Sequence, residues 1–402
     1  MAHSTRRVLV INAGSSSVKF SLFDMDNQLP ITKGNVERIG LDNPSLDYTI
    51  GDAPSSTEQV SVRDHRDALR VISRHISRTD LSPPPGRGTV DAVGHRVVHG
   101  GEAFSEPVLI DDEVKQAIRD CFPLAPLHNP VNYRGIEVCQ ELFPDVPQVA
   151  VFDTAFHQTI PPEAFTYAIP LELRRRYRIR RYGFHGTSHR YVTFEAASLL
   201  QTPLGQLNLI TCHLGNGCSV TAVRAGLSAD TSMGFTPLEG LVMGTRSGDI
   251  DPAIVLFLMR HEKMTVDEAD ELLNKKSGLL ALSGNANDMR DILDAASSGN
   301  ARAALAVDVF VHRVRKYVGA FAVSLGRLDA LVFTAGIGEN SSVIREKVCA
   351  DLAFLGIRLE AERNRANHTL ISADSSPVKV LVIPTNEELM IARDALAAIE
   401  NS

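Results

Sequence analysis

The feature that most constrains the fold is a hairpin that occurs twice. Residues 8–24, VLVINAGSSSVKFSLFD, combine an apolar segment, a polar turn and a second segment with alternating apolar residues. Residues 207–223, LNLITCHLGNGCSVTAV, repeat that order with glycines in the turn. Apolar segments on both sides of a turn rich in Gly and Asn indicate a β-hairpin. Each half of the chain is therefore predicted to contain the same hairpin.

Two further kinds of strand recur in the same order. One ends in glycines, at 90–101 and again at 328–339, and the other is followed by acidic residues, at 149–153 and at 378–388. The spacing of apolar residues predicts helices at 68–76, 136–143, 253–259 and 303–325. We interpret this order as a duplicated α/β domain in which each half is a mixed sheet with helices on its faces. Ligands of such folds bind at the carboxyl ends of strands, often between domains.

Three segments lie outside the repeated pattern, and each predicts one local structure. A last helix at 387–399 is expected to pack back on the first domain. Residues 27–57, which are rich in Asp, Ser, Pro and Gly, predict hairpin loops. The proline-rich residues 82–88 predict a stiff surface connection.

Size and composition exclude several classes of protein. A chain of 402 residues favours two domains, and its net charge of −7 argues against nucleic-acid binding. No apolar run approaches the roughly 20 residues of a membrane span. The five cysteines are scattered without a Cys-x-x-Cys pair, which argues against a zinc site or a disulfide framework and favours the cytoplasm. The basic run at 174–181 is interpreted as a solvated loop or a subunit contact.

The duplicated hairpins resemble the superfamily of actin, sugar-kinase and heat-shock-chaperone ATPases, and within it the acetate kinase family. The motifs that carry this resemblance, in chain order, are VLVINAGSSSVK (8–19), GHRVVHG (94–100), FDTAFH (152–157), YGFHGTSH (182–189), the segment 209–226, MGTRSGD (243–249), GIGEN (336–340) and PTNEEL (384–389). The resemblance implies duplicated ribonuclease-H-like (actin-like ATPase) domains with an active-site cleft between them. The expected domains are residues 1–153 plus 385–402, and residues 154–384.

The polar turn of the first hairpin has the chemistry of a phosphate site. Phosphate groups need small donors and a backbone that they can approach, and Gly14 with the hydroxyls of residues 15–17 offers both. Asn12 adds an amide oxygen and Lys19 a positive charge. The resemblance implies that Asn12 and Glu387 hold Mg²⁺, which Mn²⁺ can replace, and that Lys19 lies on the ATP side.

The second turn and a later glycine-rich segment are further candidates for nucleotide binding. Gly215 and Gly217 leave room for phosphates, and residues 336–340 are expected to follow a strand and precede a helix whose N-terminus favours phosphate. Taken alone, residues 288–290 predict a helix start. The resemblance assigns the following residues to the nucleotide: Lys19, His213, Leu214, Gly215, Asn216, Gly217, Asp288, Met289, Arg290, Gly336, Ile337, Gly338, Glu339 and Asn340.

A small carboxylate substrate needs a cation and an apolar slot. Arg96 and Arg246 are both expected in glycine-bounded loops, and an arginine fork matches carboxylate and phosphoryl oxygens. Because a charge without a partner is costly to bury, a ligand role is favoured over a structural ion pair. Asp153 and Glu387 are each expected to end a strand, a position that suits a metal and its waters.

By resemblance, the substrate is surrounded by Arg96, Val98, Leu127, His128, Phe184 and Pro237. The resemblance also makes Asp153, His185 and Arg246 the catalytic residues, with His185 donating to the transferring phosphoryl group. Acetate is already ionised near neutral pH, since a carboxyl group titrates at about 4 to 5, so no general base is needed. Asp153 is therefore expected to orient Arg96 or a metal-bound water.

The reaction implied by the resemblance is the reversible transfer of the γ-phosphoryl group from ATP to acetate by in-line attack, giving ADP and acetyl phosphate. A kinase for propionate or another short-chain carboxylate is the close alternative. An actin-like or chaperone-like ATPase without a small acceptor is the alternative from another class. The family also implies a homodimer.

Overall fold

The computed structural model describes residues 6–78 and 90–401, so the connection at 82–88 lies outside the described residues. The chain divides into two compact units. The first unit consists of Met1–Ala155 with Asn386–Ser402, and the second of Phe156–Thr385. Each unit is built on one mixed sheet.

The strands within the described residues are β1 (Arg7–Ala13), β2 (Ser17–Asp24), β3 (Leu29–Glu37), β4 (Ser45–Ile50), β5 (Ser56–Gln59), β6 (Ala92–Val97), β7 (Val108–Leu109), β8 (Gln148–Phe152), β9 (Asn208–Leu214), β10 (Cys218–Arg224), β11 (Leu227–Thr231), β12 (Ala330–Thr334) and β13 (Lys379–Val382).

The α-helices within the described residues are α1 (His65–Arg78), α2 (Asp112–Asp120), α3 (Asn129–Leu142), α4 (Pro162–Phe165), α5 (Leu171–Tyr177), α6 (Gly186–Leu199), α7 (Pro252–His261), α8 (Val266–Lys275), α9 (Gly278–Ser283), α10 (Met289–Ser297), α11 (Ala301–Leu325), α12 (Ala335–Asn340), α13 (Ser342–Cys349), α14 (Ala361–Arg365) and α15 (Glu387–Glu400). Short 3₁₀ helices occupy Ala155–Thr159, Leu204–Gln206 and Ala353–Leu355.

The two sheets share one topology over five strands. The first sheet has the order β5-β4-β3-β2-β1-β6-β8-β7, and the second has the order β11-β10-β9-β12-β13. In both, an antiparallel hairpin (β1–β2 or β9–β10) is continued on one side by an antiparallel strand. On the other side it is continued by two parallel strands. The duplicated mixed sheets predicted from the sequence are therefore present.

Helices pack on both faces of the first sheet because its central strands are apolar on both sides. Val93 belongs to the core that also contains residues of α1 and α3. The next residue, Gly94, faces α15, where an added Cβ would lie 2.8 Å from Cγ2 of Ile391. Successive side chains of a strand point to opposite faces, so α15 covers the face opposite α1 and α3. The C-terminal helix thus packs on the first unit, as expected.

In the second unit, α6 and the strands β9, β12 and β13 share a core of buried apolar residues that includes Val192, Leu209 and Val332. The long helix α11 buries Phe310, Val314 and Val318. The five helical segments predicted from periodicity all fall within α1, α3, α7, α11 and α15, except that Phe143 follows the last residue of α3.

Two predictions about local structure were wrong. Residues 27–57 are not only loops, because they include β3 and β4, whose residues Val36 and Leu46 pair and are buried in the core. The polar composition of these strands reflects their exposed face. The basic run is not a solvated loop, because it begins within the helix α5 and its last two residues are held by other parts of the second unit. The side chain of Arg180 is buried over the ring of Phe165, with 3.8 Å from Cζ to the centroid, and Arg181 forms an ion pair with Glu239.

No helix in the described parts of the chain is both long and apolar enough to cross a membrane.

Candidate functional site

Arg96 lies near the carboxyl end of β6 and forms an ion pair with Asp153, which directly follows β8. The strands β6 and β8 are parallel, so their carboxyl ends meet at one edge of the sheet. The Nε–H of Arg96 donates to Oδ1 of Asp153 at 3.2 Å, and Nη2 makes a shorter contact with Oδ2. The expected loop position of Arg96 was therefore wrong, since the residue belongs to β6, whereas the ion pair is the contact that an orienting role of Asp153 requires. The strand places Arg96 beside an acid that is distant in sequence.

Two more predicted site residues complete this group, which we call the Arg96 cluster: Asn12, Arg96, Asp153 and Glu387. Nη1 of Arg96 donates to Oδ1 of Asn12 at 3.3 Å, and Nε lies 3.9 Å from Oε2 of Glu387. Burial by itself lowers the pKa of Arg96, but the negative charges of Asp153 and Glu387 outweigh that effect and raise it. The guanidinium therefore stays charged.

The predicted position of Glu387 at the end of a strand was wrong. The strand β13 ends at Val382, and Glu387 is the first residue of α15. The preceding Asn386 caps this helix, since its Oδ1 accepts from the N–H of Leu389 at 3.0 Å. An acidic side chain in the first turn is favoured by the helix dipole, which explains the local structure without a strand.

Lys19 and Asn12 lie side by side on the first hairpin. They are directly paired in the β1–β2 register, so both side chains lie on the same face. The turn between them is closed by a hydrogen bond from the N–H of Gly14 to the carbonyl of Ser17, at 2.8 Å. Ser15 and Ser16 are exposed in this turn.

Val98, Leu127 and His128, the three other residues predicted near the substrate in the first unit, have different environments. Val98 is buried, and its N–H donates to Oδ1 of Asn132 in α3 at 3.1 Å. Because β6 ends at Val97, Val98 lies just beyond the strand that carries Arg96. Leu127 is 67% exposed, and His128 is exposed immediately before α3.

In the second unit, His185, His213 and Arg246 gather around the turn of the second hairpin. The rings of His185 and His213 stack with their centroids 4.1 Å apart. A Cβ added to Gly217 would lie 3.4 Å from the ring of His185 and 3.8 Å from Nη1 of Arg246. The absence of a side chain at Gly217 therefore leaves a space that both groups border.

Arg246 is a half-buried cation that pairs with none of the carboxylates in the described part of the chain. Its Nη1 donates to the carbonyl of Pro237 at 3.2 Å. Burial lowers the pKa of Arg246, and the nearby Cys218 offsets part of that effect. A partly desolvated guanidinium whose polar contacts are mainly with neutral groups is well suited to bind an anion.

Glycines fix the loop that carries Arg246. The N–H of Gly244 donates to the carbonyl of Asn216 at 3.0 Å, and a Cβ at Gly244 would lie 1.8 Å from Oδ1 of Asn216. Gly278 has φ +65°, and its Cβ would lie 2.2 Å from the carbonyl oxygen of Met243. The loop therefore packs closely against both the second hairpin turn and the start of α9.

Phe184 is buried, and its carbonyl accepts from Nε2 of His157 at 3.0 Å. Burial lowers the pKa of His157 to about 4, so this ring is neutral at pH 7. His157 thus holds the backbone directly before His185. His185 itself has φ 56° and is the N-cap of α6.

A cavity of about 780 Å³ lies in the second unit and gathers most of the residues assigned to the nucleotide. The predicted residues that line it are Gly215, Asn216, Asp288, Met289, Arg290, Gly336, Ile337 and Asn340. Sequence reasoning missed six further lining residues: Asn287, Leu293, Asp294, Ser341, Ser342 and Val343. The signal that could have found some of them is the Ser-Ser pair that caps and begins α13.

Segments 288–290 and 336–340 differ in how well their local structure was predicted. Asp288 is the N-cap of α10, as expected for a helix start, and a hydrogen bond from Arg290 lowers the pKa of Asp288 to about 2. The segment 336–340 follows β12 and precedes α13, as expected, but it also forms the short helix α12 itself, which was not predicted. Its Glu339 is turned back, since Oε1 accepts from the N–H of Ala335 at 2.8 Å and from that of Thr385 at 3.0 Å. The four predicted nucleotide residues His213, Leu214, Gly217 and Gly338 are likewise outside the lining of the cavity.

Arg345 holds α12 in place without lining the cavity, and sequence reasoning missed it as well. Its side chain is fully buried and donates to the carbonyls of Gly338 and Glu339, at 2.9 and 2.8 Å. It also bonds Oδ1 of Asn364 at 2.8 Å. Burial lowers the pKa of Arg345 to about 10, so the group remains a cation at neutral pH. It thereby satisfies the last carbonyls of the short helix α12.

Comparison with known proteins agrees with this arrangement of motifs. The model of the acetokinase family matches residues 7–393. The chain belongs to the acetokinase family.

Its relatives in the acetokinase family are similar over nearly their whole length. An acetate kinase of Desulfitobacterium hafniense is 54% identical over 98% of this chain and 99% of its own length. An acetate kinase of Thermotoga maritima is 53% identical over 98% of this chain and 99% of its own. A propionate kinase of Francisella tularensis has a solved structure with a TM-score of 0.92 and 44% identity, covering 98% of this chain and 99% of that one.

A crystal structure of Porphyromonas gingivalis acetate kinase also matches with a TM-score of 0.92 and 43% identity, covering 98% of this chain and all of that one. The predicted fold class is therefore confirmed by both topology and comparison. Membership of the acetokinase family also argues against the alternative hypothesis of an actin-like or chaperone-like ATPase without a small acceptor.

Proposed function

We propose that the protein transfers the γ-phosphoryl group of ATP to acetate, reversibly, giving ADP and acetyl phosphate. The observation that carries the proposal is Arg246, a half-buried cation beside His185 and the open space at Gly217. An anion at that position would supply the negative charge that the described carboxylates do not. The relatives named acetate kinase, at 50–54% identity, support acetate as the acceptor.

In this mechanism the substrate carboxylate is held by Arg96, whose orientation is fixed by Asp153. The acid does not need a proton removed, because acetate is ionised at neutral pH. Asp153 is committed to the ion pair with Arg96, which supports an orienting role. The carboxylate oxygen attacks the γ-phosphorus in line, as in other phosphoryl transfers.

Charge that develops on the phosphoryl oxygens is stabilised by donors held in place before the reaction. Arg246 supplies a guanidinium that is fixed by Pro237, and His185 supplies an imidazole that is fixed by Ser219 at 2.9 Å. The nucleotide occupies the cavity bounded by α10, α12 and the second hairpin turn. Its volume of about 780 Å³ is in the range of small-molecule sites, roughly 300–1,000 Å³.

The Arg96 cluster has the donor chemistry for Mg²⁺. Asn12 and Glu387 offer amide and carboxylate oxygens, which this ion prefers. Across residues 6–78 and 90–401, no group of three or more His, Cys, Asp or Glu side chains could hold a metal by itself. That fits an ion bound by one or two side chains together with waters and substrate phosphates. Bound there, Mg²⁺ would neutralise phosphate charge.

Propionate is a second candidate acceptor, because a structural neighbour at 44% identity is named a propionate kinase. Purified protein would be incubated with ATP, Mg²⁺ and acetate, propionate or butyrate, with hydroxylamine added to trap the acyl phosphate as a hydroxamate. We expect most hydroxamate from acetate. Hydroxamate mainly from propionate would favour the second candidate, and none from any acid would overturn the kinase proposal.

We further propose a homodimer in the cytoplasm. The partner and the location follow the family resemblance. The helix α7 supports a subunit contact, since none of its residues is buried and Ile254, Leu256 and Phe257 are each about half exposed. Exposed apolar patches are typical of interaction sites. All five cysteines are buried thiols, which supports a reducing compartment.

A further inference from the structure

A continuous hydrogen-bond chain reaches His185 from inside the second unit. Nδ1 of His185 contacts Oγ of Ser219 at 2.9 Å. The same oxygen contacts Nε2 of His189 at 2.7 Å, and Nδ1 of His189 contacts Oγ1 of Thr211 at 2.7 Å. Ser219, His189 and Thr211 are fully buried, on β10, α6 and β9 respectively. We call this series the Thr211 chain.

Two directions of donation are geometrically possible along the Thr211 chain. In the first, the hydroxyl of Thr211 donates to His189, His189 donates to Ser219, and Ser219 donates to Nδ1 of His185. In the second, Nδ1–H of His185 donates to Ser219, Ser219 donates to Nε2 of His189, and Nδ1–H of His189 donates to Thr211. A neutral imidazole has one donor and one acceptor nitrogen. Among the described residues the side-chain partners of Ser219 Oγ are the two imidazoles, so if Ser219 accepted from both, its own O–H would be buried without an acceptor. The direction at one end therefore determines the direction at the other.

The hydroxyl of Thr211 distinguishes the two directions. In the described part of the chain, the only side-chain hydrogen bond of Oγ1 is the one to His189. If His189 donated to it, the O–H of Thr211 would be buried without an acceptor, which is unfavourable. If Thr211 donates, every hydrogen in the series has an acceptor. Burial also keeps the pKa of His189 well below its ordinary value, so that ring is neutral and only one of its two nitrogens can donate.

We infer that the Thr211 chain holds His185 as the neutral tautomer that carries its proton on Nε2. Ser219 occupies Nδ1 as a donor, which disfavours both the Nδ1–H tautomer and the imidazolium. Arg246, which borders the same space at Gly217, also disfavours a second positive charge. Thr211, His189 and Ser219 are then positioning residues, and Nε2–H of His185 is a donor at all times.

This inference deepens the proposed function, on which its catalytic meaning rests. A permanent N–H donor can stabilise a phosphoryl oxygen without any proton transfer, and the proposed reaction has no proton to transfer. The tautomer itself, however, depends only on the interior of the second unit. It can therefore be tested independently of activity.

The experiment is ¹⁵N NMR of the histidine rings in the full-length protein at neutral pH. The chain has 13 histidines, so the signals of His185 are assigned by their loss in His185→Gln. We expect Nε2 of His185 to be protonated and Nδ1 to be an acceptor. A protonated Nδ1 in the unaltered protein would overturn the inference, and this measurement requires no variant of the Thr211 chain to fold.

A variant series tests the role of Thr211. In Thr211→Val the directing hydroxyl is lost, so His185 should populate both tautomers and kcat should fall about tenfold, with a smaller change in KM for ATP. Thr211→Ser should restore the original NMR pattern. The matched control is Thr221→Val, because Thr221 is also buried, is the cross-strand neighbour of Thr211, and bonds Thr231 instead.

An unchanged tautomer of His185 in folded Thr211→Val, or an equal change in Thr221→Val, would overturn the inference. Failure of the proposed function would look different. The protein would then form no acyl hydroxamate, whereas the NMR pattern and its response to Thr211→Val would be as expected.

Discussion

At the scale of single residues, Arg96 in the first unit and Arg246 in the second have opposite electrostatic environments. Arg96 is paired with Asp153 and close to Glu387, which raise its pKa. Arg246 has neutral hydrogen-bond partners, and burial lowers its pKa. An anion therefore gains more from Arg246, which still lacks a negative partner, than from Arg96. Their expected contributions differ accordingly, with Arg96 orienting the acid and Arg246 stabilising developing charge.

Replacement of Arg246 by Ala should lower turnover by a factor on the order of 10² to 10⁵, as the loss of an oxyanion contact or an arginine finger does. The KM for ATP should change less. Steady-state kinetics with acetate would measure both quantities. Arg224→Ala is the control, since Arg224 is an exposed arginine that contacts the carbonyl of Ser324. Turnover within a few-fold of normal in Arg246→Ala would remove Arg246 from the phosphoryl group.

Glu387→Gln and Asn12→Ala should each raise the Mg²⁺ concentration needed for half-maximal rate, because each weakens oxygen-based support for the ion. A Mg²⁺ titration at saturating ATP measures this. The control is Glu388→Gln, because the neighbouring Glu388 accepts from Ser21 at 2.9 Å instead. Titrations unchanged in both site variants would place the metal elsewhere.

Val98→Ala should shift the preference between acids about tenfold toward propionate, because a methylene in an apolar pocket is worth roughly 1 to 3 kcal/mol. We expect a higher KM for acetate, a lower one for propionate and little change for ATP. Val98 is buried directly after β6, two residues from Arg96. Equal losses with both acids would mean that Val98 supports the fold only.

At the scale of elements, the position of Arg246 depends on backbone packing that side chains would prevent. The loop from Met243 to Arg246 lies against Gly278, whose φ of +65° is in the left-handed region. An added Cβ there would lie 2.6 Å from the carbonyl oxygen of Arg246. The short helix α12 is held similarly, by the buried side chain of Arg345. The site thus relies on supporting elements that do not themselves line it.

Gly278→Ala should displace the loop and reduce kcat by roughly tenfold or more, with a loss of stability on the order of 1–3 kcal/mol from backbone strain. Kinetics and thermal unfolding would measure these effects. Gly319→Ala provides the control, since Gly319 lies in α11 and a Cβ there meets no atom within 4 Å. Normal kinetics in folded Gly278→Ala would show that the loop tolerates the change.

At the scale of the whole molecule, the helix α7 exposes apolar side chains that nothing in the described structure covers. A helix in a folded chain usually buries one face, whereas α7 buries none of its residues in the described structure. Its composition is nevertheless apolar, with Ile254, Leu256 and Phe257 exposed. Contact with a second copy would remove this surface from water.

If α7 forms the homodimer contact, Phe257→Glu should shift the protein toward the monomer by placing a charge in an apolar interface. Light scattering coupled to size-exclusion chromatography, over a range of concentrations, would measure the mass. Val323→Glu is the control, because Val323 is 81% exposed on α11. A dimer of unchanged stability in Phe257→Glu would place the contact on another surface.

The sequence by itself determined the duplicated topology. Apolar segments on both sides of a polar turn, at β1–β2 and at β9–β10, are local features of the sequence that predict a hairpin in each half of the chain. The same holds for the long helices, whose spacing of apolar residues predicts α11 over nearly its full length. Motif resemblance also identified most of the residues that line the cavity.

The tertiary structure decided which polar groups became partners. Arg96 and Asp153 are 57 residues apart and meet only because β6 and β8 are parallel neighbours. Glu387 began a helix because Asn386 caps it, and Glu339 turned away from the cavity to bond Ala335 and Thr385. A hydrogen bond depends on distances of tenths of an ångström, which residue types and spacing do not specify, whereas burial depends only on which side of an element is apolar.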